Sequence, residues 1–144
     1  MLISDVLNVK GRAVVKVAPT DSIRHAVRVL ADNRIGAVVV EDKWMRPAGI
    51  FSERDLINAV SAQGAGVLDH QVQTVMSSPV VSCRSSDRID AVLGRMTLAR
   101  IRHMPVIDDE VLNGIVSIGD LVKSRLDEKE LEANVLLDIT RMHA

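Results

Sequence analysis

The chain has 144 residues, a formal net charge of −1 and an apolar share of 47%, which suits one ordinary domain or two small units around a shared core and argues against disorder. Acids and bases are interspersed, and Trp44 and Phe51 are the only aromatics, so the concentrated positive surface and the stacking platforms that nucleic-acid binding needs are both missing. Cys83 is the single cysteine, which excludes an internal disulfide and a thiolate metal cluster and fits a reducing, cytoplasmic compartment.

Residues 1–9 carry Leu2, Ile3, Val6 and Leu7, interrupted by Asp5 and Asn8 and preceded by no basic residue. The expectation is a short helical segment and not a signal peptide. Residues 14–17 read as a short strand, and Pro19-Thr20-Asp21-Ser22 as a turn with helix-capping chemistry. Ile23, Ala26, Val27, Leu30 and Ala31 follow the spacing of a one-sided helix. Residues 37–41 are apolar almost throughout and predict a buried strand. After a polar loop with Pro47, Gly49-Ile50-Phe51 predicts a third strand and Ser52 the start of a second helix. Residues 62–73 read as a helix end and a connector, broken by Gly64 and Gly66. Ile89, Val92, Leu93 and Met96 then predict another helix, 103–107 and 112–116 two strands, and Asp108-Asp109-Glu110 a solvated turn between them. From Asp120 to Met142 the chain reads as helical, with Leu131, Val135, Ile139 and Met142 at helical spacing. That stripe suits either a helix packed back on its own domain or a dimer contact. No apolar run approaches the ~20 residues of a membrane span.

The second half repeats the first. Val14-Val15 and Val80-Val81 stand 66 positions apart, as do Asp21 and Asp87, Ile23 and Ile89, Arg34-Ile35 and Arg100-Ile101, Val40 and Val106, and Asp42 and Asp108. Past a loop one residue shorter, 65 positions separate Gly49-Ile50 from Gly114-Ile115, Ser52 from Ser117, and Asp55-Leu56 from Asp120-Leu121. Glycines, caps and apolar positions recur in one order, so each half is one β-α-β-β-α unit. The expected division is 1–66 for the first repeat with its N-terminal segment, 67–126 for the second with its linker, and 127–144 for a C-terminal helix.

Ser52-Glu53-Arg54-Asp55 and Ser117-Ile118-Gly119-Asp120 each follow a buried strand. Taken alone, each is a capping box, with the Ser and the acid satisfying free backbone N–H groups. The duplication adds a second reading. A helix N-terminus offers N–H donors and a partial positive charge to phosphate, and a carboxylate beside it accepts hydrogen bonds from the neighbouring hydroxyls of a ribose. Asp55 and Asp120 suit the two ribose hydroxyls, and Ser52 and Ser117 a nearby sugar or phosphate oxygen.

Two stretches carry a family resemblance: Arg34-Ile35-Gly36-Ala37-Val38-Val39-Val40 with Gly49-Ile50-Phe51-Ser52-Glu53-Arg54-Asp55, and Arg100-Ile101-Arg102-His103-Met104-Pro105-Val106 with Gly114-Ile115-Val116-Ser117-Ile118-Gly119-Asp120. The unit resembles a CBS domain and the pair a Bateman module, over about residues 10–126, which suggests a standalone pair. The resemblance implies an α/β fold of two β-α-β-β-α repeats packed about a pseudo-twofold axis, with a C-terminal helical extension. It implies a regulatory, energy-sensing module and not an enzyme. The ligands would be adenosine compounds (AMP, ADP, ATP, NAD or S-adenosylmethionine), with no metal required. The partners would be a second copy in a homodimer and an unidentified protein. The alternative is a structural interaction module with vestigial pockets.

Carried over from the family, Asp120 and Ser117 would work with Lys10, Arg12, Val14 and Val15, and Asp55 and Ser52 with Met76, Ser77, Ser78, Val80 and Val81. Adenine would lie against Ile50 or Ile115, its edge read by backbone groups of Ala37-Val38 or His103-Met104. Arg102 and His103 would stand at the mouth of the Asp120 pocket, where the Asp55 pocket has Gly36 and Ala37 and the single cation Arg54. On that basis the Asp120 pocket would prefer the more phosphorylated ligand. Other motifs are discounted. Gly64-x-Gly66 lacks the third glycine of a dinucleotide fingerprint. His25, His70, His103 and His143 lack metal-ligand spacing. Cys83, at the place Val17 holds in the first repeat, reads as a buried apolar thiol.

Overall fold

The computed structural model describes residues 1–142; His143 and the end of the expected 127–144 segment lie outside the described residues. The first repeat forms as its apolar spacing directs. Helix α2 (Ile23–Asn33) is capped by Ser22, whose side chain accepts from the His25 N–H, and buries Ile23, Ala26 and Leu30. It ends on Arg34 in the left-handed region (φ 53), and the Ile35 N–H reaches back 3.1 Å to the Leu30 carbonyl. This closure satisfies the last carbonyls of the helix and turns the chain into a strand. Helix α4 (Ile89–Ala99) of the second repeat ends in the same way on Arg100 (φ 55), with Ile101 N–H 3.0 Å from the Met96 carbonyl. The repeated Arg-Ile pair therefore marks a turn geometry.

Strand β1 (Lys16–Val17) pairs parallel with β2 (Ala37–Glu41), which pairs antiparallel with β3 (Pro47–Ser52). β1 is shorter than the expected 14–17: Val15 contributes its carbonyl to the Val39 N–H at 3.2 Å, but Val14 lies outside the ladder. In the second repeat, β4 (His103–Asp108) and β5 (Val111–Ser117) make an antiparallel pair. The counterpart of β1 is a single bridge between Cys83 and Val106. Asp109 and Glu110, at φ 48 and 66, form the two-residue turn between β4 and β5. Asp108 departs from the expected solvated turn. It accepts from the Ser85 amide and hydroxyl and from Asn113, and these bonds hold its carboxyl below the ordinary value.

Each repeat is completed by the segment that precedes the other. Helix α1 (Ile3–Lys10) comes before the first repeat, yet Ile3, Val6 and Leu7 are buried in the core of the second with Met96, Met104 and Val116. The Ile3 N–H donates to Asp87 and the Ile89 N–H to Met1. Conversely, the short turns at Ala65–Asp69 and Val72–Thr74 precede the second repeat but bury Val67 and Val72 in the core of the first. There the Ile23 N–H donates to His70 and the Val72 N–H to Asp21. The reciprocal exchange produces a pseudo-twofold molecule. A third cluster joins the repeats: Ala37, Val39 and Ile50 pack against Val14, Leu112 and Ile115.

Helix α3 (Glu53–Gln63) closes the first repeat and helix α5 (Ile118–Met142) the second. α5 continues without a break through the C-terminal stretch. Among the described residues, no helix is long and apolar enough to cross a membrane.

Candidate functional site

Both Ser-x-x-Asp segments stand at the junction of a last strand and a last helix. Ser52 ends β3 and caps α3; its hydroxyl accepts from the Asp55 N–H at 3.4 Å, and Asp55 Oδ2 accepts from the Ser52 N–H at 2.9 Å. The second corner repeats this with 3.0 Å from Asp120 N–H to Ser117 Oγ and 2.9 Å from Ser117 N–H to Asp120 Oδ2. The capping function is therefore present at both corners, and it uses one carboxylate oxygen of each acid. The strand entries support the same turns: Glu53 N–H donates to the Gly36 carbonyl at 3.0 Å and Ile118 N–H to the Arg102 carbonyl at 2.9 Å.

Around Asp55 the chain forms a cleft of about 180 Å³ between the repeats. The first repeat supplies Gly36, Ile50, Ser52, Arg54 and Asp55, and the approach to the second supplies Ser77, Val80 and Val81. Ser77 is anchored by a reciprocal backbone pair with Ile50 at 3.0 and 2.8 Å. Its hydroxyl donates to Asp55 Oδ1 at 2.8 Å. The close approach depends on Gly49, where a Cβ would lie 2.6 Å from Met76 Sδ and 2.9 Å from the Ser77 carbonyl. The lining combines aliphatic side chains, Ile50, Val80 and Val81, with polar ones, Ser52, Asp55 and Ser77, a mixture that suits a flat apolar group joined to a sugar.

At Asp120 the surroundings differ. Lys10, the last residue of α1, places its Nζ 2.5 Å from Asp120 Oδ2 and 2.7 Å from the Ile115 carbonyl. Burial pushes the Asp120 carboxyl up, but the Lys10 and Ser117 hydrogen bonds and the Lys10 charge outweigh it and hold the group below its ordinary value. Arg12 does not join this corner; its guanidinium donates to Asn8 Oδ1 at 2.8 Å. Val14 and Ile115 pack into the cluster between the sheets, and Val15 packs against the first core.

Two expected residues take different places. Arg102 and His103 line the Asp55 cleft, together with Arg100 and Ile101. The cause is the pseudo-twofold crossing: the entries of β2 and β4 meet, and a Cβ on Gly36 would lie 3.0 Å from His103 Nε2. Of the basic residues expected at the Asp120 pocket, Lys10 stays there, Arg102 lines the other cleft, and His103 lines that cleft while still feeling the charges of Lys10 and Asp120. Burial, and then the Lys10 charge, lower the His103 pKa, so the ring is neutral at pH 7 and offers a hydrogen bond but no charge. Met104 and Val38 are fully buried in the two cores, which leaves only their backbone groups to meet a ligand. Met76 packs under the site against the first core, and Ser78 is exposed beside it.

Glu53, Pro79, Arg100 and Ile101 also line the cleft and were not among the expected site residues. The repeated Arg-Ile pair was the available signal, since it marks where each helix delivers a strand to the axis. Cys83 is buried, and burial followed by the Asp87 charge pushes its thiol up to about 12, the behaviour of a core thiol. Among the described residues, no group of three or more His, Cys, Asp or Glu is arranged to hold a metal ion.

A family model described as the CBS domain matches residues 3–62 and 72–127. The fold is similar to a solved CBS-domain-containing protein of Agrobacterium tumefaciens, with 45% identity, a TM-score of 0.84, and coverage of 86% of this chain and 92% of that one. It is also similar to a CBS domain protein of Pyrobaculum aerophilum solved in complex with AMP, with 29% identity, a TM-score of 0.78, and coverage of 92% and 99%. Among curated proteins, the mitochondrial CBS domain-containing protein CBSX3 of Arabidopsis thaliana is 30% identical over 138 residues, which is 90% of this chain and 67% of the relative. Two further curated relatives are spanned over 59% and 66% of their lengths, so the chain covers about two thirds or less of these three curated relatives.

Proposed function

The chain belongs to the CBS-domain family, and from that premise we propose that it is a regulatory module that binds an adenosine-containing ligand, AMP, ADP, ATP or NAD, between its two repeats. One observation carries the reading: a cleft in which the Ser52-Asp55 corner of one repeat faces Ser77, Val80 and Val81 from the approach to the other. Asp55 accepts from the ribose hydroxyls, and the Ser77 hydroxyl yields its bond to the carboxylate as the sugar enters. Adenine lies against Ile50, Val80 and Val81, and the N-terminus of α3 meets the phosphate. The relative from Pyrobaculum aerophilum that was solved with AMP supports the ligand class.

The module is read as non-catalytic and cytoplasmic. It transmits binding through a homodimer to an unidentified protein partner. Binding shifts such a partner only as far as the ligand prefers one conformation over another. An interaction module with vestigial pockets is the second reading, and the Lys10 contact at Asp120 favours it for that corner.

Thermal-shift and calorimetric titration with AMP, ADP, ATP, NAD and S-adenosylmethionine is the test. At least one of them should stabilise the protein. Asp55→Ala should weaken that binding by about 1.5–3 kcal/mol, the value of a charged hydrogen bond, and lower stability by ~1 kcal/mol through the lost cap. If no ligand shifts the melting temperature, the interaction reading replaces this one. If Asp55→Ala binds as wild type does, the ribose assignment is wrong.

A further inference from the structure

The two corners are alike in backbone but unlike in availability. At Asp120, the Lys10 ammonium bridges Oδ2 and the Ile115 carbonyl, so this carboxylate is already ion-paired. The backbone of Lys10 is held at this corner, because α1 is fixed by Ile3, Val6 and Leu7 in the core of the second repeat. Asp55 pairs with no cation among the described residues, and the donor to Oδ1, the oxygen not used by the cap, is the Ser77 hydroxyl, which is neutral and turns about one bond.

The charges differ in the same sense. Arg54, Arg100 and Arg102 all line the Asp55 cleft, against two carboxylates, Glu53 and Asp55. Asp55 is already engaged by Ser52 and Ser77. Among the described residues, none of these three arginines lies within 4.0 Å of a carboxylate, whereas Arg24, Arg95 and Arg125 each meet one. The Arg54 guanidinium donates to the Arg100 carbonyl at 2.8 Å, which ties the first repeat's cation to the entry of the second. The N-terminus of α3 adds a partial positive charge at the same end. Three guanidinium groups against two carboxylates leave positive charge in excess, and an anion of several charges gains more from that excess than an anion of few.

On the nucleotide reading above, we infer that each chain binds one nucleotide, in the Asp55 cleft. Arg54, Arg100 and Arg102 select nucleoside di- and triphosphates over monophosphates, and Lys10 holds the Asp120 corner closed. The more phosphorylated ligand thus goes to the corner opposite the one the sequence suggested, because the cations of the second repeat cross the axis.

Calorimetry on the full chain with AMP, ADP and ATP, without divalent metal, tests this. The expected result is one site per chain and affinity rising from AMP to ATP by about tenfold or more, the worth of one added charge-assisted hydrogen bond, with the gap narrowing as salt is raised. Arg100→Gly removes a cation while relieving a left-handed position that glycine adopts without strain. It should reduce the ATP-to-AMP ratio several-fold with no loss of melting temperature, and Arg102→Ala should reduce it likewise. Lys10→Ala should raise the stoichiometry from one to two. Equal affinity for AMP and ATP, an unchanged ratio in both arginine variants, or two sites in the wild type would overturn the inference and leave nucleotide binding intact. No binding by any nucleotide would remove both.

Discussion

Gly49 and Gly114 occupy matching places in the two repeats, yet a methyl group would meet different obstacles. At Gly114 the obstacles are side-chain atoms of Leu7 in the second core, the nearest Cδ2 at 2.7 Å. At Gly49 the Ser77 carbonyl stands at 2.9 Å behind Met76, and backbone yields only if the segment moves. Gly49→Ala should therefore cost more in urea denaturation, toward the upper end of the ~1–3 kcal/mol range for overpacking. It should also weaken nucleotide binding by displacing Ser77 from Asp55. Equal losses in the two variants would count against the backbone as the obstacle. The Asp120–Lys10 contact makes a pH prediction. The folded carboxyl sits below its ordinary value despite the opposing effect of burial, so the folded chain takes up this proton less readily than the unfolded chain. The stabilisation is complete above the unfolded value of ~3.9 and is lost as pH falls through the depressed one. The stability gap between wild type and Lys10→Met should be widest near neutral pH and shrink below about pH 4. A gap independent of pH would show that the charge of Lys10 contributes nothing.

The elements show which parts of the structure the sequence specifies locally. α2, β2, β3 and the two capping boxes follow from spacing and cap chemistry, because their determinants lie within a few residues of one another. The partner of α1 does not. Ile3, Val6 and Leu7 define a helix with one apolar face, but nothing in their order says that the face belongs to the second repeat. The same holds for Arg102 and His103, whose place depends on two strand entries meeting across the axis. The corners were legible as chemistry, and the family resemblance already set Lys10 with Asp120 across 110 positions, while Arg100 and Arg102, which line the Asp55 cleft, were not legible there. The exchange has a measurable consequence. Each fully buried side chain of α1 contributes roughly 1.5–3 kcal/mol, more than an eight-residue helix gains from its own propensity. Leu7→Ala should cost about 2–5 kcal/mol. In hydrogen exchange the lost protection should appear in β4 and β5, although the mutation precedes the first repeat. Loss confined to β2 and β3 would contradict the exchange.

At the scale of the whole molecule, the chain is a body with a projection. Every residue of 129–142 is exposed, so the reading of this stretch as a helix packed back on its own domain does not hold for the last turns of α5. At ~1.5 Å per residue, these turns extend about 20 Å past the last contacts with the body. Leu131, Val135, Ile139 and Met142 are 65, 49, 47 and 82% exposed and fall along one side of the helix. A free helix of this length is marginal in water, and an apolar stripe on it gains most from burial against another apolar surface. In the homodimer proposed above, the second copy supplies that surface, since a twofold axis brings a stripe against itself. Antiparallel pairing also sets the acidic run Asp127, Glu128, Glu130 and Glu132 beside the Arg141 end of the copy, whereas parallel pairing would set acid against acid. The double substitution Leu131→Glu with Ile139→Glu should turn a dimer into a monomer by light scattering. The body should keep its fold by circular dichroism and its affinity for nucleotide, because neither residue touches a core. A wild-type chain that is monomeric at micromolar concentration, or a variant that stays dimeric, would place the dimer contact elsewhere or remove it.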